Sequence, residues 1–228
     1  MKNIAIIPAR SGSKGLKNKN ILRLNGVPLM GYSIQAALQS KLMKRVIVST
    51  DSEEYAEIAK SLGAEVPFLR SENNSSDDAS SWDVVREVIN FFQQNGEMFD
   101  NIVLLQPTSP LRTSKDIIAA YNMFIEKQAD SVVSVSELEH SLKWCNTLPD
   151  DNCMQGFLRQ NIIGQPRQKL ERYYRLNGAI YILTNVEPYE KMLYNEKSYA
   201  YIMDRFHSID IDNRFDFVCA EAIIKSQV

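Results

Sequence analysis

The chain has 228 residues, a formal net charge of −2 and 44% hydrophobic residues, a composition typical of one ordinary globular domain. The near-neutral charge argues against a nucleic acid partner, and no apolar run approaches the roughly 18 residues that a membrane span needs. Three cysteines without C-x-x-C spacing indicate reduced thiols, and the amino terminus lacks a secretory pattern, so a cytoplasmic protein is expected.

Short apolar runs alternate with amphipathic segments along the chain. The predicted strands are Ile4–Ile7, Arg45–Thr50, Glu65–Leu69, Ile102–Leu105, Ser131–Val135, Ala179–Leu183 and Ala200–Met203. The predicted helices are Met30–Ser40, Ser52–Leu62, Ser80–Asn95, Ser114–Lys127, Val186–Leu193 and Asn213–Lys225. This alternation predicts an α/β fold, with a doubly wound, mostly parallel sheet in a Rossmann-like, nucleotide-binding three-layer arrangement. Right-handed crossovers would bring the loops after the strands to one edge of the sheet.

The loop after the first strand carries the strongest sequence signal. Residues 4–20 read IAIIPARSGSKGLKNKN, a buried strand that opens into a loop with two glycines, one arginine and three lysines. Glycines allow close backbone approach and the cations oppose negative charge, so the loop predicts a polyanion site, and a nucleoside triphosphate fits best. The spacing matches neither the P-loop nor the dinucleotide fingerprint. A solvated surface turn is the structural alternative.

Asp210 and Asp212 form the second candidate site, within Ser208-Ile-Asp-Ile-Asp. In an extended strand, residues two apart point to the same side, so both carboxylates would share one face. Mg²⁺ is the natural partner for such a pair, because it prefers carboxylate oxygens together with substrate phosphates. The alternative is that both aspartates face solvent at a strand edge.

Two further loops carry polar side chains after predicted strands. Gln106–Arg112 holds two prolines that would fix a turn presenting Thr108 and Ser109, although a purely structural turn is the alternative. The segment Ser75–Ser81 follows Arg70 and precedes a helix, which Ser80 or Ser81 would cap.

Residues 137–175 interrupt the alternation of strands and helices. The segment is polar, has no clear period and contains Arg167, Arg172 and Arg175. A long irregular insertion in a compact domain is usually functional, disordered or a dimerisation arm, and its aromatic residues argue against simple disorder. Clustered arginines suit carboxylate or phosphate recognition, and ion pairs with a partner subunit are the alternative.

In their joint order, these segments make the chain resemble the acylneuraminate cytidylyltransferase family, the CMP-sialic acid synthetases, over essentially its whole length. The matching segments are Ala9–Gly15 with Lys19 and Asn20, Val48–Asp51, Leu105–Arg112, Arg175–Tyr181 and Ser208–Asp212. The resemblance implies one cytidylyltransferase domain over residues 1–228, with a small arm at 137–175 that reaches across a homodimer to the other subunit's sugar site.

The resemblance also implies a role for individual residues. The catalytic set is Arg10, Lys19, Arg167, Asp210 and Asp212, with Asp210 and Asp212 holding the metal. The nucleotide-binding set is Ala9, Arg10, Ser13, Lys14, Gly15, Asn20, Arg70 and Ser80. The sugar-binding set is Gln106, Thr108, Ser109, Arg167, Arg175 and Tyr181.

The implied activity couples CTP to a sialic acid or a related nine-carbon nonulosonic acid, such as legionaminic acid, and releases pyrophosphate with Mg²⁺ as cofactor. Two departures from the family pattern touch the sugar side: His140-Ser141 replaces a His-Pro pair, and Tyr194–Tyr199 lacks an evident aromatic pair. A cytidylyltransferase for another sugar acid, such as 3-deoxy-manno-octulosonic acid, is one alternative. A non-catalytic sugar- or nucleotide-binding protein on the same fold is another.

Overall fold

The structure is a computed structural model that describes residues 1–13, 15–76 and 79–226. The strands are β1 (Asn3–Pro8), β2 (Arg23–Leu24), β3 (Val27–Pro28), β4 (Arg45–Ser49), β5 (Asn101–Leu104), β6 (Ser131–Glu137), β7 (Tyr174–Thr184) and β8 (Ser198–Ile202). The α-helices are α1 (Leu29–Ser40), α2 (Glu53–Ser61), α3 (Glu72–Ser75), α4 (Ser81–Gln94), α5 (Ser114–Glu126), α6 (Tyr189–Met192) and α7 (Arg214–Ser226).

Six strands form one sheet in the order β4-β1-β5-β7-β6-β8. β1 pairs in parallel with β4 and β5, and β6 pairs in parallel with β8. β7 lies antiparallel between β5 and β6. The prediction of a mostly parallel sheet is confirmed.

Helices cover both faces of the sheet because neighbouring strand residues point to opposite sides. Ile7 packs in a cluster with α1 and α5, whereas Ile6 packs in a second cluster with α4. The three-layer, doubly wound architecture predicted from the sequence is therefore confirmed. In the described ranges, no helix combines the length and the apolar character that crossing a bilayer requires.

The loops after the strands meet at one edge of the sheet, as predicted. The carboxyl ends of β1 and β4 lie side by side, with Pro8 opposite Ser49. The segment after α2 lies at the same edge, where the Arg70 amide donates to the Thr50 carbonyl at 2.7 Å. The loop after β5 lies next to α4, where Gln106 Nε2 donates to Ser81 Oγ at 3.4 Å. This edge therefore gathers residues from four separate parts of the chain.

One predicted strand is absent and one predicted helix is much shorter than predicted. Glu65–Leu69 is not a strand: only Glu65 bridges to Ile47, because Pro67 has no amide hydrogen with which to extend a ladder. The predicted helix Val186–Leu193 shortens to α6, because Pro188 cannot lie inside a helix and instead occupies its N-cap position.

β7 is longer than predicted. It continues back from the predicted Ala179–Leu183 through Gly178 to Tyr174 and pairs with the end of β6. The register shifts near Val133, and Gly178 has a φ of +71°, which explains why the strand tolerates a polar, irregular stretch there. The end of the predicted arm thus belongs to the sheet. Residues 138–173 otherwise contain two short 3₁₀ turns among irregular structure.

Candidate active site

The first loop is fastened to the end of β4. The Ala9 amide donates to the Ser49 carbonyl at 2.9 Å. Asp51 then accepts from the Ser11 amide at 2.7 Å and from the Ser11 hydroxyl at 2.9 Å. Asn20, which is buried, closes the loop by donating from Nδ2 to the Arg10 carbonyl at 2.9 Å. These hydrogen bonds therefore fix both ends of the loop, at Ala9–Ser11 and at Asn20.

Arg10 of this loop and Arg70 of the segment after α2 lie near each other. Arg70 is 7% exposed and donates from Nε to Ser49 Oγ at 3.0 Å, and its Nη2 donates to the Ser49 carbonyl. Burial lowers the pKa of Arg70 to about 10; the carboxylate of Asp51 opposes this shift and the charge of Arg10 adds to it. Arg10 Nη1 donates to the Ser75 carbonyl at 3.3 Å. Two guanidinium groups therefore concentrate positive charge at the sheet edge.

Lys19 joins the first loop to the carboxyl-terminal part of the chain. Its Nζ donates to the Ile211 carbonyl at 2.7 Å and lies 3.1 Å from Asp212 Oδ1. The Lys19 side chain is 13% exposed and that of Asp212 is 73% exposed. Gly15 touches the same segment: a Cβ built on it would lie 2.4 Å from the Asp212 carbonyl oxygen. Only glycine permits this approach.

Asp210 lies deeper than Asp212. Burial raises the pKa of the Asp210 carboxyl, and the charge of Asp212 raises it further, whereas a hydrogen bond from Thr108 and the charge of Lys19 oppose the rise. Asp210 Oδ1 is buried and has no hydrogen-bond partner among the described residues. Residues 208–213 form no regular strand, so the expected strand alternation is wrong here and the two aspartates occupy different environments.

A divalent cation fits this pair of carboxylates. The buried, unpartnered oxygen of Asp210 needs a positive partner, because a buried charge without one is costly. Asp212 presents a second carboxylate that is open to solvent. Mg²⁺ commonly takes one or two protein carboxylates and completes its shell with phosphate oxygens and water. Asp210 and Asp212 would therefore hold the ion, and a substrate would supply further ligands.

The predicted sugar side adjoins Asp210. Gly178 lies between Asp210 and the predicted sugar-binding residue Gln106: a Cβ built on Gly178 would lie 3.8 Å from Asp210 Oδ2 and 3.9 Å from Gln106 Cγ. Tyr181 follows on the same strand and meets Trp82 edge to face, with ring centroids 5.9 Å apart. Burial raises the pKa of Tyr181, with smaller contributions from Tyr194 and Asp210. Gln106, Asp210 and Tyr181 thus lie near one another.

The proline-containing loop is more buried than its sequence suggests. Ser109 is fully buried, and its hydroxyl has no partner among the described residues. Arg112 is 2% exposed and donates from Nη1 to the carbonyls of Gln106 and Ala179 at 3.1 and 3.0 Å. Burial lowers the pKa of Arg112 to about 10, against the charge of Asp116. Of the two hydroxyl residues predicted in this loop, Thr108 is therefore the one that reaches the candidate site, where it hydrogen-bonds the Asp210 carboxylate.

The sequence of the chain matches a known protein family. A sequence model described as cytidylyltransferase matches residues 4–218, which include both the first loop and the aspartate pair. The chain belongs to this cytidylyltransferase family. The resemblance inferred from the order of the motifs is thereby confirmed.

The names of relatives within the family specify different sugar acids. The chain is 42% identical over 226 residues to an N-acylneuraminate cytidylyltransferase of Escherichia coli, and the match covers 97% of this chain and 52% of that protein. It is 38% identical over 233 residues to a CMP-N,N'-diacetyllegionaminic acid synthase of Legionella pneumophila, covering 99% and 97% of the two chains. The chain spans about half the length of the first relatives it matches.

A solved structure of a CMP-2-keto-3-deoxy-manno-octonic acid synthetase complexed with CTP shares the fold. The superposition has a TM-score of 0.70 at 16% identity and covers 100% of both chains. At that identity the similarity concerns the fold.

The structure brings together many, but not all, of the predicted site residues. Residues from the loop, the proline-containing turn, β7 and the aspartate segment lie at one edge: Ala9, Arg10, Ser13, Gly15, Lys19, Asn20, Arg70, Gln106, Thr108, Arg175, Tyr181, Asp210 and Asp212. Lys14 lies outside the described residues, as does the side chain of Arg167, whose backbone forms a 3₁₀ turn. Ser80 caps α4, with its hydroxyl accepting from the Asp83 amide at 3.1 Å.

Several residues that support the site were missed as site residues. Asp51 anchors the first loop through two hydrogen bonds to Ser11. It lies in Val48–Asp51, one of the segments that resemble the family, but the sequence alone predicted no role for it. Asn177 is buried and donates to Ser208 Oγ at 3.0 Å, which ties β7 to the aspartate segment. Asp116 was also missed, although Thr113-x-x-Asp116 is a capping-box pattern visible in the sequence.

Proposed function

We propose that this chain is a nucleotidyltransferase that couples CTP to a nonulosonic acid and gives the CMP-sugar and pyrophosphate. The observation that carries the proposal is the junction between the two ends of the chain. Lys19 and Gly15 of the cationic loop contact the segment of Asp210 and Asp212, so cations and metal-binding carboxylates face one space. A triphosphate with a divalent cation needs both.

The relatives support the substrate class. Two relatives that match nearly all of this chain have names that specify acylneuraminate and diacetyllegionaminate, which are both nine-carbon sugar acids. In our proposal, Gln106, Thr108, Arg175 and Tyr181 bind the sugar acid on the side of Asp210 away from Lys19. Arg175, whose guanidinium donates to the Ser208 carbonyl at 3.4 Å, would also oppose the sugar carboxylate.

The proposed reaction is an attack of the sugar's anomeric hydroxyl on the α-phosphorus of CTP. A new oxygen–phosphorus bond forms, the bond to the β-phosphate breaks, pyrophosphate leaves and the hydroxyl proton passes to solvent. Asp210 and Asp212 would hold Mg²⁺, which supplies charge neutralisation at the phosphate oxygens. Arg10 and Lys19 would stabilise the leaving pyrophosphate, and Asn20, Arg70 and Ser80 would bind the nucleotide. Positioning and charge would supply most of the rate enhancement.

We also propose that the enzyme is a cytoplasmic homodimer. Residues 138–173 expose large apolar side chains, with Leu142 50%, Leu148 52%, Met154 61% and Ile163 64% exposed. Several exposed apolar side chains concentrated in one segment suit an interaction surface. In the dimer, the partner subunit would cover this surface, and the arm would bring Arg167 toward the partner's sugar site. Sedimentation analysis measures the mass directly, and a monomer at micromolar concentration would contradict this part.

Product analysis tests the proposed function. The protein is incubated with Mg²⁺, one nucleoside triphosphate and one acid from a panel containing N-acetylneuraminic, diacetyllegionaminic and 3-deoxy-manno-octulosonic acids. Mass spectrometry should find a CMP-nonulosonate with CTP and no adduct with ATP or UTP. A product formed solely with the octulosonic acid would overturn the substrate class. Absence of product with every acid, in a folded protein that binds CTP, would favour a binding protein.

A further inference from the structure

The stretch from Thr108 to Asp116 contacts the segment that carries Asp210 and Asp212 at two places. The Ile211 amide donates to the Thr108 carbonyl at 2.8 Å, and Thr108 also hydrogen-bonds the Asp210 carboxylate. Upstream, His207 Nδ1 lies 3.0 Å from Asp116 Oδ2. Residues 108 and 116 belong to the turn after β5 and the first turn of α5, so both ends of the aspartate segment dock on the same unit.

Asp116 is a buried acceptor with several donors. Its Oδ2 accepts from the Thr113 amide at 2.8 Å and from the Thr113 hydroxyl at 2.6 Å, which caps α5. Its Oδ1 accepts from the Tyr201 hydroxyl at 3.2 Å. Asp116 is 6% exposed. Removing His207 would therefore leave the carboxylate with three hydrogen bonds and leave the α5 cap intact.

We infer that His207 is a positioning residue for the metal-binding aspartates, acting through its contact with Asp116. His207 ends the 3₁₀ turn Arg205–His207 and precedes the buried Ser208. It therefore fixes the upstream end of the segment, whereas Thr108 fixes its downstream end. The inference rests on the proposed function for the identity of the ligand, but the anchoring itself does not depend on it.

One other contact supports the upstream end. Asn177 Nδ2 donates to Ser208 Oγ at 3.0 Å, and Ser208 Oγ donates to the Asp204 carbonyl at 2.6 Å. Because this contact remains when His207 is replaced, the segment should loosen rather than unfold. The expected consequence is a less well-placed pair of carboxylates in an otherwise folded protein.

Three variants separate positioning from a general loss of stability. His207→Ala removes the contact to Asp116. His207→Asn retains a donor close to the position of Nδ1. Tyr201→Phe is the matched control, because it removes a different hydrogen bond to the same carboxylate from β8 and leaves the aspartate segment untouched.

The first readout is amide hydrogen exchange of a peptide covering residues 208–213, without any ligand. His207→Ala should speed exchange of the Ile211 amide about tenfold, as expected for a loosened local segment. Tyr201→Phe and His207→Asn should stay within about threefold of the wild type. Equal exchange in His207→Ala and Tyr201→Phe would overturn the inference.

The second readout is binding of Mn²⁺ in the presence of CTP and the absence of sugar, measured by electron paramagnetic resonance. Supporting residues around metal sites typically change affinity 10- to 100-fold, so His207→Ala should weaken Mn²⁺ binding about tenfold while Tyr201→Phe does not. Unchanged Mn²⁺ affinity in His207→Ala would contradict the positioning role. If wild-type protein bound no Mn²⁺ with CTP, the proposed function would fail, and the exchange measurement would still decide whether His207 anchors the segment.

Discussion

Lys19 Nζ lies 3.1 Å from Asp212 Oδ1, although 193 positions separate the two residues in the chain. The contact places the cationic loop after β1 against the segment that precedes α7. It pairs a lysine expected to face a triphosphate with an aspartate expected to hold the metal. The two expected roles are compatible if binding of substrate replaces this ion pair with contacts to phosphate and metal.

Lys19→Met should weaken CTP binding at least about tenfold, because it removes a charge-assisted contact from a partly enclosed site. Lys17→Met is the matched control, since Lys17 is exposed on the same loop. It should change the dissociation constant by less than about threefold. Calorimetric titration with CTP and Mg²⁺ checks both variants. Equal losses in the two variants would show that general positive charge, and not the position of Lys19, determines affinity.

Asp210→Asn should raise the melting temperature while it eliminates metal-dependent turnover. Asp210 is partly buried and its carboxyl has a raised pKa, so its charged form is disfavoured in the metal-free fold, and a neutral side chain of similar shape relieves this cost. An increase of about 2–4 °C corresponds to about 1 kcal/mol in a domain of this size. Asp212→Asn, at an exposed position, should eliminate turnover without that increase. Calorimetry in EDTA, paired with an activity assay, checks both; a lower melting temperature for Asp210→Asn would contradict the argument.

Gly15→Ala should separate the first loop from the aspartate segment. Its Cβ would lie 2.4 Å from a backbone oxygen, so the loop or the segment must move. We expect CTP affinity to fall at least about tenfold, because Lys19 is displaced with the loop. Gly96→Ala is the control, as it follows α4 and has open space for a Cβ, so that its cost is confined to about 1 kcal/mol of backbone strain. Wild-type affinity in Gly15→Ala would show that the junction is not needed for binding.

Asp116→Asn should destabilise the protein at neutral pH and lose that effect in acid. Burial acts to raise the pKa of the Asp116 carboxyl, but hydrogen bonds from Thr113 and the His207 contact outweigh it and leave the pKa below its ordinary value of 3.8. The unfolded chain therefore binds this proton more tightly, and the stabilisation is present above pH 3.8 and disappears as the pH falls through the folded-state pKa.

Urea unfolding at several pH values measures the difference between wild type and Asp116→Asn. The free energy of unfolding should differ by about 1–2 kcal/mol at pH 7, the usual range for loss of a helix cap. The difference should shrink steadily in the acid range. A difference that stays constant with pH would mean that the carboxylate charge does not contribute.

Much of the fold follows from local patterns. The runs at β1, β4 and β5 are mostly apolar, as strands buried on both faces require, whereas β6 mixes valine with serine. Among the helices, α4 has clear amphipathic spacing and buries Val84, Val85 and Val88. The hairpin of β2 and β3 was missed, although Asn25-Gly26 at its turn is a strong signal for it. The failure at Glu65–Leu69 has a physical cause, since one proline is enough to limit an edge strand to a single bridge.

The candidate site was only partly predictable. Residue types indicated which side chains suit a triphosphate and a metal ion. How deeply each side chain is buried depends on tertiary packing, which no local sequence pattern reveals. Ser109 and Thr108 are neighbours with similar hydroxyl groups, yet Ser109 is fully buried and Thr108 contacts Asp210. The contact of His207 with Asp116 joins residues 91 positions apart, so it depends on how α5 and the last segment pack.

The most direct test of the account measures pyrophosphate release from CTP and a nonulosonic acid as Mg²⁺ is titrated, in the wild type and in Asp212→Ala. Because Asp212 is exposed, the variant should keep the fold and the melting temperature of the wild type. We expect saturable Mg²⁺-dependent release in the wild type and a loss of at least about 100-fold in the variant. Full activity in a folded Asp212→Ala protein would contradict the claim that the cationic loop and the aspartate pair form one triphosphate site.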